Sequence, residues 1–130
     1  MADQFELARE LLALADDDLV AVRALSEASQ VSNAILGFHA QQAVEKALKA
    51  VLALHGVEFP FTHDLEGLLE LCSSSAIGIP EHLADAGVLT PYGVRFRYGP
   101  IDPGDLVDPA AALALARDAV TWARAALDAG

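Results

Sequence analysis

The sequence has a single cysteine, Cys72, and few aromatic residues, which make up 6% of the chain. One cysteine cannot form an internal disulfide, so a small secreted domain stabilised by disulfides is excluded. β-Branched residues are also sparse, whereas alanine and leucine are the commonest residues, and this composition favours helices over strands. The sequence therefore predicts an all-α protein.

Long apolar runs are missing as well. The stretch 28–42 lacks charged side chains, but it contains serine, glutamine, asparagine and histidine, so it does not predict a spanning helix. The first six residues lack the basic and apolar regions of a secretory signal peptide. Because a lone cysteine also suits a reducing compartment, we expect a cytoplasmic protein with no membrane partner.

Basic residues are few. Eight lysines and arginines oppose 19 acidic residues and give a net charge of −11. Such a chain repels phosphate unless its cations are concentrated in one place, so non-specific coating of nucleic acid is disfavoured. A length of 130 residues suits one domain, which we expect to span 1–130.

The spacing of apolar residues predicts an antiparallel up-and-down helical bundle with about five helices. Three long helices are expected at about 3 to 27, 30 to 55 and 109 to 128. Two shorter ones lie between them, at 65–72 and at 81–97, and glycines and a proline divide the latter into two pieces. The glycine- and proline-rich segment 99–105 predicts a loop.

Three positions predict local structure around the second helix. Gly37 in its interior costs helix stability, which indicates close packing against another element. Gly56 follows its last turn and predicts a left-handed C-cap. Asp64, with Thr62 before it, supplies the side chains typical of a helix N-cap.

The second helix also carries a polar stripe opposite its apolar face. The stripe contains Gln41, Gln42, Glu45, Lys46 and Lys49, and Ile35 and Phe38 fall in the same sector. One interpretation is a surface for a ligand or a partner. The other is a solvated face on which a glutamate and a lysine pair at a spacing of four residues.

Three separated motifs resemble the HEPN domain family. The first runs from Phe38 to Ala50 and reads FHAQQAVEKALKA, the second is the THDL of 62–65, and the third is the RFRY of 95–98. They occur in the family's order in a chain of the family's length. The resemblance implies an antiparallel helical bundle, usually a homodimer. It also implies a bacterial or archaeal protein, often encoded beside a minimal nucleotidyltransferase, in toxin–antitoxin or nucleotide-linked defence systems.

The resemblance also bears on activity. Catalytic members of the family are metal-independent ribonucleases with an Arg-x4-6-His motif, in which arginine holds phosphate and histidine moves a proton. Here the positions that would hold the histidine are occupied by the residues of 100–104, and none of these is a histidine. The sequence therefore resembles the non-catalytic branch, which binds a substrate or a partner, and we expect no catalytic residues.

A basic patch follows the fourth helix. Arg95 and Arg97 hold a quarter of the chain's lysines and arginines within three residues. Arg97 could hold the phosphate of a nucleotide or RNA while Tyr98 stacks on a base or orders the loop, and Lys46 and Lys49 would add positive field. Alternatively, the arginines satisfy carbonyl groups at the helix end and nearby carboxylates.

Two histidines have more than one interpretation. His63 with Asp64 could be a catalytic or a metal-binding pair, but such a pair more often begins a helix, with Asp64 complementing the helix dipole and His63 bonded locally. His39 lies beside the polar stripe and could approach the arginines, or it could be a partly buried histidine. The candidate ligand-binding residues are Arg95, Arg97, Tyr98, His39, Gln42, Glu45, Lys46, Lys49, His63 and Asp64.

Metal and cofactor motifs are not found. None of the four histidines has a glutamate three residues before it, which excludes a di-iron bundle. Cys72 has apolar neighbours and indicates a core thiol. We expect no metal and no cofactor. Two alternative functions stay open: a divergent ribonuclease that uses His39 or His63 as its base, and a purely structural oligomerisation domain.

Overall fold

The computed structural model describes residues 2–28, 33–95 and 101–130, and within them it contains five α-helices and no strand. The predicted all-α bundle with about five helices is therefore confirmed. The helices are α1 (Ala2–Glu27), α2 (Asn33–Leu54), α3 (Leu65–Ser74), α4 (Thr90–Arg95) and α5 (Pro109–Ala129).

The three long helices form the body of the bundle. α1 runs antiparallel to α2, because the Gln4 amide near its start donates to the Leu54 carbonyl at the end of α2, at 2.9 Å. α1 also runs antiparallel to α5, since Phe5 and Leu127 line the same cleft. α2 and α5 end together, with Gly130 next to Leu54. Residues 55–108 carry the chain back between them.

Apolar residues at helical spacing fill the core between these helices. On α1 the buried positions recur every three or four residues, as the amphipathic pattern predicts. The buried apolar residues of α1 and α5 are Ala8, Ala15, Leu19, Val22, Ala112, Ala116, Ala119, Val120 and Ala123. Many of them are alanines, and their small side chains let the helix axes approach closely. None of the helices in the described part of the chain combines the length and the apolarity of a membrane span.

α4 packs against α2 through a glycine. The Tyr92 ring, 1% exposed, lies over Gly37, where an added Cβ would be 2.1 Å from the ring. The Tyr92 hydroxyl accepts a hydrogen bond from the backbone N–H of Val107, at 2.8 Å. This contact confirms that Gly37 serves close packing, and it ties α4 both to α2 and to the segment before α5.

Left-handed residues end two helices. Gly56, with φ of +69°, follows α2 as predicted. α3 does not end at residue 72 as expected but continues to Ser74. Ala76 takes the left-handed conformation after it, with φ of +60°, and the Ile77 N–H then donates to the Cys72 carbonyl. α3 thus extends two residues beyond its predicted end, and Ser74 Oγ donates to the Leu71 carbonyl in its last turn.

The described part of the predicted helix 81–97, residues 81–95, is divided more finely than the sequence predicts. Instead of two helical pieces it contains the 3₁₀ turns Glu81–Leu83 and Ala86–Leu89, followed directly by α4. Pro91 stands in the first turn of α4, where a missing N–H costs nothing. A further 3₁₀ turn, Pro103–Asp105, lies within the predicted loop because Pro103 has a backbone angle suited to a helical start.

Candidate functional site

The inner part of the polar stripe on α2 is buried. Gln41, Glu45 and Lys49 recur every fourth residue and are 0%, 4% and 9% exposed. The Lys49 ammonium lies 3.0 Å from the Glu45 carboxylate, so the predicted pairing is confirmed. The interpretation of a solvated face is wrong for these three residues, because the segment that follows α2 folds back over them.

All three side chains hold that returning segment. Lys49 Nζ donates to the carbonyl of Thr62 at 3.1 Å, and Gln41 Nε2 donates to the carbonyl of His63 at 3.0 Å. Glu45 Oε1 lies 2.6 Å from His63 Nδ1. Since a carboxylate can only accept, Nδ1 carries a proton in this bond. We call these four residues, Gln41, Glu45, Lys49 and His63, the inner cluster.

The inner cluster leaves little of Lys49 free for a ligand. Besides its bonds to Glu45 and Thr62, its ammonium lies 5.6 Å from the centre of the Phe59 ring, a cation–π contact. His63 differs from Lys49 because 49% of its side chain is exposed, whereas the side chain of Glu45, which holds it, is 6% exposed. The interpretation that His63 bonds only locally is wrong, because its partner Glu45 lies 18 residues earlier.

A second charged group joins α1 to the partly exposed side of the stripe. Asp18 on α1 accepts from His39 Nδ1 at 2.9 Å with one oxygen and from Lys46 Nζ at 2.6 Å with the other. We call Asp18, His39 and Lys46 the outer cluster. Gln42 lies between His39 and Lys46 at helical spacing, and its amide donates to Gln41 Oε1 at 2.7 Å. Gln42 therefore bonds to the inner cluster, and along the helix it lies next to the residues of the outer one.

α4 lies against the same region of α2. Its start is fixed by Thr90 Oγ1, which accepts from the Leu65 N–H at 3.1 Å. Gly93 then faces Gln41, where an added Cβ would be 2.5 Å from the amide carbon. Arg95 is the last residue of α4, but its side chain, like Arg97 and Tyr98 as a whole, lies outside the described residues.

Asp64 occupies the N-cap position of α3, as predicted, but its side chain makes no capping hydrogen bond. Its own N–H donates to Thr62 Oγ1 at 3.0 Å, and its carboxylate lies near Gly67 in the first turn of α3. The structure therefore does not bring the Asp64 carboxylate to the inner cluster, although it adjoins His63 in sequence.

An acidic cleft of about 660 Å³ opens on the other side of this segment. Its lining includes Asp64, Glu66, Asp105 and Asp108, together with Thr90. Four carboxylates around one cleft repel an anion. An anion is therefore not expected to bind in this cleft.

The described residues offer no site for a metal ion, since they contain no group of three or more suitable histidine, cysteine or acidic side chains. Cys72 is 0% exposed, and burial raises the pKa of its thiol to about 11. The prediction of a core thiol is confirmed, because a thiol that stays protonated and covered is a poor nucleophile.

Sequence reasoning missed two residues of the site. Asp18 stands in a run of three aspartates, and only its position next to Leu19 on the buried stripe of α1 distinguishes it. Gln41 was placed in the stripe but not among the candidates, although it lies four residues before Glu45. Spacing alone could have included Gln41, whereas the role of Asp18 depends on how α1 packs on α2.

The HEPN domain family model matches residues 8–126, which is most of the chain. No curated protein and no solved structure shows significant similarity to this chain. The family match agrees with the all-α bundle, and its range includes the three motifs at 38–50, 62–65 and 95–98. The chain therefore belongs to the HEPN domain family.

Proposed function

We propose that this protein is a binding module of the non-catalytic HEPN branch that takes a nucleotide or the phosphates of RNA. The observation that carries the proposal is the packing of α4 on the polar side of α2, through Gly93 against Gln41. The basic patch begins at the end of α4 with Arg95. A helix that packs on the polar stripe and whose sequence continues into two arginines suits phosphate recognition.

The charges on α2 support this assignment. The net charge of −11 disfavours an anion over most of the surface. Within the two clusters, however, Lys49 balances Glu45 and Lys46 balances Asp18, and each cluster adds a histidine. This face is thus close to neutral, and the missing Arg-x4-6-His motif favours binding over cleavage.

Calorimetry with AMP, ATP and a short single-stranded RNA tests the proposal. We expect binding of at least one of them, and Arg97→Ala should weaken it tenfold or more without changing the melting temperature. Arg117→Ala is the matched control, because Arg117 is an exposed arginine of α5 whose neighbour is Asp118, and it should bind as the wild type does. Absence of binding, or an Arg97→Ala variant with unchanged affinity, would overturn the proposal.

The proposal includes partners. We infer a homodimer that associates with a minimal nucleotidyltransferase in a toxin–antitoxin-like or defence system of the cytoplasm, as the family resemblance and the lone buried Cys72 suggest. Native mass spectrometry of protein purified from its own host tests this directly. A partner of nucleotidyltransferase size supports the assignment. A bare homodimer without ligand contradicts it and favours a structural oligomerisation domain.

The geometry also favours one second candidate, a divergent metal-independent ribonuclease. Both His39 and His63 have a carboxylate on Nδ1, an arrangement that orients an imidazole for proton transfer. RNA cleavage in the presence of EDTA would support this function if His63→Ala or His39→Ala abolished it. Cleavage that survived both substitutions would indicate a contaminating nuclease, and absence of cleavage would remove the candidate.

A further inference from the structure

We propose that His63 contacts the phosphate of the ligand through Nε2, and that Glu45, Lys49 and Gln41 are positioning residues for it. The inference rests on the proposed function, since that supplies the phosphate. The inference specifies which atom of His63 binds the phosphate and whether that atom carries a proton when it does.

The inner cluster fixes His63 from two directions. Gln41 holds its backbone carbonyl and Glu45 holds its ring nitrogen Nδ1, while Lys49 holds the carbonyl of the residue before it. Within the described residues Nε2 makes no hydrogen bond, and half of the side chain is exposed. The imidazole therefore has a fixed orientation in which Nδ1 is hydrogen-bonded to Glu45 and Nε2 is available at the surface.

Stability alone does not account for this arrangement. Burying a glutamine, a glutamate and a lysine on one helix incurs desolvation penalties, and apolar residues of similar volume often give equal or greater stability. All three side chains instead converge on two residues of one short segment. The polar stripe holds a histidine in a defined orientation, which an apolar stripe would not do.

The charges of α2 that face His63 balance each other. Two charged groups of α2 face this histidine, and they oppose each other, Glu45 in direct contact and Lys49 paired to Glu45. Asp64 is next in the chain, but its carboxylate lies over the first turn of α3. Because Nδ1 donates to Glu45, Nε2 of a neutral imidazole can only accept, and a hydrogen bond to an oxyanion requires a proton on Nε2 as well. Binding of phosphate should therefore add a proton to His63.

NMR of protein labelled with ¹⁵N-histidine tests this prediction at pH 7.5 with AMP and, separately, a short single-stranded RNA. In the free protein Nδ1 of His63 should carry the proton and Nε2 should show the shift of an unprotonated nitrogen. Ligand should move the Nε2 resonance to that of a protonated nitrogen. The resonances of His82, an exposed histidine of the 3₁₀ turn at 81–83, should not move.

Affinity gives an independent readout. His63→Ala should raise the Kd for AMP at least tenfold. This variant should fold, because the side chain that it removes is half exposed. His82→Ala is the matched control and should stay within twofold of the wild type. Glu45→Gln keeps the size of the side chain, but its amide can donate to Nδ1 as well as accept from it, so this variant should no longer fix the tautomer of His63 and should weaken binding. The free-state tautomer of the wild type tests the positioning role even if that variant is unstable.

The outcomes separate this inference from the proposed function. Calorimetric binding with an unchanged Nε2 resonance and an unchanged affinity of His63→Ala overturns the role of His63 and leaves the binding module intact. No binding of AMP or of RNA overturns both. A free protein in which Nε2 rather than Nδ1 carries the proton contradicts the positioning by Glu45, whatever ligand binds.

Discussion

Replacing Gly37 by alanine should destabilise the fold, although the change adds a better helix former to the middle of α2. In an unconstrained helix this substitution gains about 1 kcal/mol. Here the new Cβ would lie 2.1, 2.4 and 2.7 Å from three atoms of the Tyr92 ring. Carbon atoms do not approach so closely, so the ring must move.

The Tyr92 ring has little room to move. It is 1% exposed, and its hydroxyl is fixed by the Val107 N–H at 2.8 Å. Overpacking of this kind costs about 1–3 kcal/mol, and losing a buried hydrogen bond costs about 1 kcal/mol more. After the helix gain is subtracted, we expect a net destabilisation of about 2 kcal/mol.

Urea unfolding followed by circular dichroism measures this difference. Gly78→Ala is the matched control, because a Cβ there meets no atom within 4 Å, and it should change stability by less than about 0.5 kcal/mol. In a Tyr92→Ala background the sign should reverse, since alanine at position 37 then has space. A Gly37→Ala variant more stable than the wild type would refute the packing of α4 on α2 described above.

Three further predictions concern stability. Ala76→Gly should stabilise the protein by about 0.5 kcal/mol in urea unfolding, because φ is +60° at this position and glycine adopts that conformation without strain. Asp108→Ala should cost about 1 kcal/mol in the same assay and Asp108→Asn much less, because Asp108 Oδ2 caps α5 by accepting from the Ala111 N–H. Burial raises the pKa of Cys72 to about 11, whereas an unfolded thiol ionises near about pH 8.5. The stability that this neutral thiol contributes is therefore fully present below about pH 8.5 and is lost as the pH rises through about 11. The difference in unfolding free energy between wild type and Cys72→Ala should shrink over that range, and a difference independent of pH would contradict it.

The long helices could be predicted from sequence because each of them buries one face at a regular spacing. That signal is local, and so is the left-handed Gly56 after α2. The pieces within 81–95 could not be predicted in detail, because their boundaries follow contacts with distant residues. Glu66 of α3 lies against Gly87, and Gly37 of α2 lies against Tyr92.

The candidate site shows the same limit. Gln41, Glu45 and Lys49 have one spacing whether the stripe faces water or is covered, so the sequence identified the stripe but not its burial. The partner of His63 could not be predicted from the order of residues either, because Asp64 is its neighbour in the chain whereas Glu45 is its hydrogen-bond partner in the fold. The role of Asp18 could not be predicted, because this residue contacts His39 and Lys46 only through the packing of α1 on α2.

α2 is therefore buried on two sides by different means. Its apolar side is covered by α1 and α5, whereas its polar side is covered by the segment that ends at His63. Among the described residues no buried side-chain nitrogen or oxygen lacks a hydrogen-bond partner, so the polar atoms of Gln41, Glu45 and Lys49 are all hydrogen-bonded. Such a network is stable only as a whole, since removing one member leaves a buried charge or amide unpaired. A segment held in this way keeps its histidine in a single orientation, and that is the condition for selecting one ligand geometry over another.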